Sequence, residues 1–116
     1  MRHRSKKKTL DRKKAPREAL LKNLACQIIL YEKIQTTEAK AKTVKPLLEK
    51  IITRGKTDNL ANRRILIAKL PMKKAVKKVF EVLGPKYKET KGGYLRIIKI
   101  GTRQGDGAKM SQIEFV

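Results

Sequence analysis

The chain has no tryptophan, five aromatic residues, one cysteine, one histidine and ten acids in 116 residues, and each scarcity removes a class of function. A single cysteine, Cys26, permits no disulfide within the chain and no zinc quartet, which fits a reducing cytosol. It falls in the middle of an apolar stretch with helical spacing and reads as a small core residue. The only histidine, His3, has no scaffold to orient it, and the acids are scattered without a pair spaced for general acid and base work, so no enzyme is expected. No run of about 18 apolar residues is present. Nor does an apolar stretch follow the positive N-terminus, so neither a bilayer span nor a secretory signal is predicted. A basic amphipathic helix lying on anionic lipid usually carries Trp or Phe on its apolar face, and there is no Trp here.

Two stretches resemble phosphate-binding loops and fail on context. Gly55-Lys56-Thr57 ends like a P-loop, but Lys50 stands where the earlier glycine is required, and a helix rather than a strand precedes it. The Gly101 to Gly107 segment joins two extended stretches instead of opening a helix, so it reads as a hairpin loop. No cofactor, metal or small-molecule substrate is expected.

Positive charge is what the chain has in abundance. Lys and Arg number 31, giving a formal net charge of +21. The first seventeen residues carry nine of them against one acid, Asp11, and one large aliphatic residue, Leu10. Such a stretch cannot bury enough apolar surface to offset the entropy of ordering. Residues 1–15 are therefore expected to be an extended basic arm, with a reach on the order of 45 Å. Residues 16–116 are expected to be a single globular domain with a modest core, weakened by self-repulsion until counter-charge binds.

Aliphatic periodicity places the elements. Pro16 suits a first helical turn, and Leu20, Leu24, Ile28 and Tyr31 form a stripe widened by Leu21 and Ala25, which predicts a helix from Pro16 to about Tyr31. Lys33 to Thr36 reads as a short strand. Thr37-Glu38 caps a second helix with Val44, Leu47, Leu48, Ile51 and Ile52 on one face, ending at Gly55; Pro46 is expected to kink it or break it near Val44. A turn at Lys56 to Asn59 delivers the cap of a third helix, Leu60 to Leu70, with Leu60, Ile67 and Leu70 as its expected core contacts. A fourth helix runs from about Met72 through Val76, Val79, Phe80 and Leu83, and Gly84-Pro85 is expected to close it with a left-handed residue. Tyr94 to Ile100 and Ala108 to Val116 form a β-hairpin, with the strand at Ile34 as the third. The class is α+β: about four helices packed with a small three-stranded sheet, plus the basic arm.

Nucleic acid explains more of these residues than any other partner. Lysine outnumbers arginine 22 to 9, so most of the charge suits point-like phosphate neutralisation. The candidate contacts in the arm and at the start of helix one are Arg2, His3, Arg4, Lys6, Lys7, Lys8, Arg12, Lys13, Lys14 and Arg17. In the body they are Arg63 and Arg64 on the third helix, Arg96, Arg103 and Tyr94. Tyr94 beside Gly92-Gly93 either stacks on a base or packs beneath the hairpin. Arg63 flanks the third helix's apolar stripe and Arg64 is offset from it, so one guanidinium is expected to be better placed than the other. Zinc-finger spacing, a heptad dimer after a basic region, and a short turn carrying a recognition helix are all missing, as are RNA-recognition-motif aromatics and a KH clamp. A compact basic body with an arm suits folded RNA read by shape and phosphate. The alternative is a low-specificity, nucleoid-type DNA-binding protein, which the charge alone permits and the lack of a dimer device disfavours.

Six blocks occur together and in order: Met1-Arg-His-Arg4; Ile34-Gln-Thr-Thr37 with Ala39-Lys-Ala-Lys42; Lys56-Thr-Asp-Asn-Leu-Ala-Asn-Arg-Arg64; Leu83-Gly-Pro-Lys-Tyr87; Gly92-Gly-Tyr-Leu-Arg-Ile97; and Gly105-Asp-Gly-Ala-Lys-Met110 running to Ile113-Glu-Phe-Val116. Over its whole length the chain closely resembles the family of bacterial ribosomal protein seventeen of the large subunit. The resemblance implies a cytoplasmic, structural component of the ribosome that binds large-subunit rRNA near the peptide exit tunnel, beside neighbouring large-subunit proteins. It also implies rRNA contacts at Arg2, His3 and Arg4, at Arg63 and Arg64, and at Tyr94 and Arg96. Ala15-Pro16, and Pro46 in helix two, depart from the family's pattern.

Overall fold

Three extended segments, rich in β-branched residues, meet in one antiparallel sheet, and the first two of four helices pack against it. The computed structural model describes Leu10 and residues 12–116. The arm candidates Arg2, His3, Arg4, Lys6, Lys7 and Lys8 lie outside the described residues. The order is α1 (Lys14–Tyr31), β1 (Lys33–Thr37), α2 (Glu38–Gly55), α3 (Leu60–Lys69), α4 (Lys73–Lys78), β2 (Leu95–Thr102) and β3 (Lys109–Phe115). The α+β class, the four helices and the three strands follow the sequence pattern.

The C-terminal strand β3 is central, in the order β1-β3-β2. Ile113 faces Ile34 on one side and Ile97 on the other, so the hairpin is tied to a strand that lies far away in the sequence. Leu95, Ser111, Ile113 and Phe115 turn inward, whereas Arg96, Gln112, Glu114 and Gln35 point away, as a half-covered sheet requires. A bulge between Lys99 and Gly101 releases the end of β2 from strict alternation.

α1 supplies the middle of the core through Leu24, Ala25, Cys26, Ile28 and Ile29. That buried sector is centred between Leu24 and Ile29, which leaves Leu20 on its margin and Tyr31 71% exposed, so Tyr31 does not belong to the stripe as expected. Glu32 ends the helix in the left-handed region, φ 66, its N–H bonded to the Ile28 carbonyl at 2.7 Å. The Lys78 ammonium anchors this cap from α4, 3.1 Å from the Leu30 carbonyl and 3.3 Å from the Glu32 carboxylate.

α2 begins as its sequence predicts, the Thr37 hydroxyl accepting the Lys40 N–H at 3.4 Å. It then runs through Pro46 as one continuous helix, so of the kink or break expected there the break near Val44 does not occur. Pro46 and Lys42, the residue whose carbonyl loses its helical donor, are both exposed. Ala41, Val44, Leu48, Ile51 and Ile52 are buried on both sides of the proline and hold the helix to the core.

α4 does not stop at Gly84. It passes through a π-helical turn, Val79–Leu83, and one more helical turn, Gly84–Lys86, with Gly84 right-handed at φ −55. The expected left-handed cap is therefore absent, and the glycine serves close packing: a Cβ there would stand 2.4 Å from the Gly55 carbonyl oxygen. The wide turn ends two residues before Pro85, which has no N–H and whose ring would crowd the carbonyl four residues back in a regular α-helix.

Candidate nucleic-acid interface

The α2–α3 junction is built by two asparagines. Asn59 caps α3, its side-chain oxygen accepting the Asn62 N–H at 2.8 Å. Asn62 in turn donates to the Thr57 carbonyl at 2.8 Å and accepts from Arg54 Nη1 at 3.3 Å, which ties the end of α2 to the start of α3. Arg63 reaches back to Asp58 with two hydrogen bonds, 2.5 and 2.8 Å, and lies 5.0 Å over the Phe80 ring. This contact holds the Asp58 carboxyl below its ordinary range and raises the Arg63 guanidinium. Arg64 is exposed and enters no ion pair among the described residues. The two arginines thus differ: Arg63 staples the turn, and Arg64 is displayed outward.

The core contacts expected of α3 need correction. Leu60 is 64% exposed and Ile67 62% exposed, whereas Leu66 is fully buried and Leu70 nearly so. The helix carries aliphatics on two faces, and Leu66 with Leu70, four residues apart, forms the one that meets the core. Leu60, Arg64 and Ile67 share the outward face, so Arg64 lies on the Leu60-Ile67 stripe and not offset from it as expected.

Tyr94 takes the second of its two readings. It is 1% exposed, bonded through its hydroxyl to Thr53 at 3.1 Å and packed 5.2 Å from the Tyr87 ring, so it does not offer a face to a base. Burial raises its hydroxyl pKa, and hydrogen bonds from Lys56 and Thr53 outweigh that and lower it below the ordinary value. Arg96 pairs across strands with Glu114 at 2.8 Å on the open face of the sheet. Arg103 clamps its own loop through Asp106 at 2.5 Å, which holds that carboxyl far below its usual range. Both guanidiniums stay about half exposed. Near the chain start, Arg12, Lys13 and Lys14 are exposed and Arg17 is half-buried on the first turn of α1.

Sequence reasoning missed a cleft of about 500 Å³ between α2, α3 and the Gly92-Gly93 turn, lined in part by Lys50, Arg54 and Lys69. Arg54 stands apart from the paired arginines of the sequence, and the three cations come from two helices, so only the fold brings them together. Among the described residues no cluster of His, Cys, Asp and Glu could hold a metal ion, and no helix is long and apolar enough to cross a membrane.

The fold and surface define a small α+β polycation in which five ion pairs engage five basic side chains among the described residues and the other described cations enter none. The sequence profile described as ribosomal protein L17 matches residues 20–116. The large ribosomal subunit protein bL17 of Pelobacter propionicus is 47% identical over 116 residues, covering 100% of this chain and 91% of the relative. That of Natranaerobius thermophilus is 51% identical over 109 residues, 94% of this chain and 96% of the relative. That of Thermomicrobium roseum is 44% identical over 116 residues, 100% of this chain and 99% of the relative. The chain belongs to the ribosomal protein bL17 family, a family of large-subunit ribosomal proteins and not of enzymes.

Proposed function

We propose that this protein binds large-subunit rRNA as a structural component, neutralising phosphates with the displayed cations of its body and with the basic segment 1–15, and that it sits near the peptide exit tunnel beside other large-subunit proteins. The observation that carries this reading is the formal charge of +21 on the chain, with only five cations of the described residues engaged in ion pairs. Uncompensated charge on a small core is costly to the free protein and is relieved by a polyanion. Arg64 is the body's leading contact, and Lys13 and Lys14 stand exposed at the end of the segment 1–15. Arg63, Arg96 and Arg103 share their guanidiniums between an internal carboxylate and solvent, and so contribute less. His3 and the arm cations Arg2, Arg4, Lys6, Lys7 and Lys8 are part of the same proposal.

Sedimentation tests it. The protein should travel with large subunits through a gradient and remain there after DNase treatment. Travel with DNA, and release by DNase, would favour the nucleoid-type reading. A cross-link from the segment 1–15 to rRNA, mapped to the tunnel exit, tests the location.

A further inference from the structure

The cleft between α2, α3 and the Gly92-Gly93 turn has a polarity of its own. Lys50, Arg54 and Lys69 bring three cations to it, and Arg54 donates to the Asn62 side-chain oxygen at 3.3 Å. The one acid in its lining is Glu49, half-buried and fixed by accepting the Tyr94 N–H at 3.1 Å through a single carboxylate oxygen. Its second oxygen remains an acceptor. The buried Tyr94, locked by Thr53, makes this part of the wall rigid.

On the facing side Gly92 and Gly93 have φ of 91° and 67°, and no atom lies within 4 Å of where a Cβ would be. Bare backbone therefore borders the opening, and a sugar or base can lie directly against it.

We propose that this cleft seats one unpaired nucleotide of the large-subunit rRNA, its phosphate on Lys50, Arg54 and Lys69 and an amino-bearing base edge toward Glu49. The proposal rests on the rRNA-binding reading above. A volume of about 500 Å³ is in the range of small-ligand sites and has no room for a duplex. A carboxylate repels a phosphate but accepts from an exocyclic amino group, as acidic side chains do from cytosine N4, so Glu49 sets the direction in which the nucleotide enters. Unstacked nucleotides splayed from loops are what proteins recognise one at a time in folded RNA. Uracil, which has no exocyclic amino group, is disfavoured.

The test uses the full chain and large-subunit rRNA stripped of protein. A photoreactive benzophenone side chain placed at Thr57, an exposed residue lining the cleft, should cross-link to one unpaired nucleotide. The double variant Arg54→Gln with Lys69→Gln should abolish that cross-link, weaken binding roughly tenfold or more, and reduce the salt slope of log affinity by about 1.4. Removal of equal charge outside the cleft, Lys73→Gln with Lys77→Gln, should leave the cross-link in place. The same probe at Lys91, exposed beside Gly92 and outside the three phosphate-binding cations, gives an independent reading should Thr57 prove sensitive. Cross-links spread over paired nucleotides, or a cleft variant that binds and cross-links like the unaltered chain, would overturn the proposal while rRNA binding itself stands. Failure of the unaltered chain to bind rRNA would overturn both.

Discussion

A Cβ on Gly84 would stand 2.4 Å from the carbonyl oxygen of Gly55, so the continuation of α4 meets the end of α2 backbone to backbone. The two glycines differ in what they meet. A Cβ on Gly55 would reach 2.2 Å from Val79 Cγ1, a side-chain atom that a smaller residue removes. Gly84→Ala should therefore cost about 1 to 3 kcal/mol or more with no local remedy. Gly55→Ala should be substantially rescued by Val79→Ala, with a coupling of about 0.5 to 3 kcal/mol in a double-mutant cycle read by urea unfolding. Additive effects would mean that the helices do not touch there.

Leu66 and Ile67 are adjacent in sequence and opposite in role. Leu66→Ala empties a fully buried site and should cost about 2 to 5 kcal/mol. Ile67→Ala alters a side chain that is mostly in solvent and should change stability by no more than about 0.5 kcal/mol. Thermal melts of the two variants decide the matter. Equal losses would restore the face first expected from the sequence.

The neighbouring arginines should separate in binding. Arg64→Gln should weaken rRNA affinity by about 1 to 3 kcal/mol and leave the melting temperature unchanged. Arg63→Gln should affect rRNA less and slightly lower stability, since it loses only an exposed ion pair and a ring contact. Filter binding and calorimetry of the two single variants check this. A reversed order would show that Arg63 leaves Asp58 when RNA arrives.

Acid should act through three carboxyls. Asp58, Asp106 and Glu38 are held below their ordinary values of 3.8, 3.8 and 4.5, mainly by hydrogen bonds from Arg63, Arg103 and Lys42. The unfolded chain takes up protons at these sites before the folded one does. Their stabilisation is thus fully present above the unfolded values and is lost as pH falls through the lower folded ones. The melting temperature should be level from about pH 8 to 5 and decline below about pH 4. A step near pH 6 would point to a titrating group outside this set.

Local signals were legible in the sequence where a residue type has one physical use. Thr37 and Asn59 cap helices because their side-chain oxygens accept from the backbone, and both do so. The β-branched run at Ile97 to Ile100 and the glycine loop after it could be little other than a hairpin. The choice of α3's buried face was not legible, because Leu60-Ile67 and Leu66-Leu70 both satisfy helical spacing and only neighbouring elements decide between them. Gly84 was misread for a related reason: Gly followed by Pro marks a helix end locally, but its close approach to Gly55 depends on a residue far away in sequence. In the candidate interface, charge showed which residues were basic but not which carboxylates they had. Asp58, Glu114 and Asp106 take up Arg63, Arg96 and Arg103 only once turn and strand register are formed.

Salt dependence tests most directly the claim that displayed cations bind rRNA through phosphate. Should about ten phosphates be neutralised, affinity of the full chain for large-subunit rRNA should fall by about a thousandfold to a hundred thousandfold between about 50 and 200 mM salt. Deleting residues 1–14 should make the slope distinctly shallower without abolishing it. A nearly flat response, or a slope unchanged by the deletion, would contradict the account.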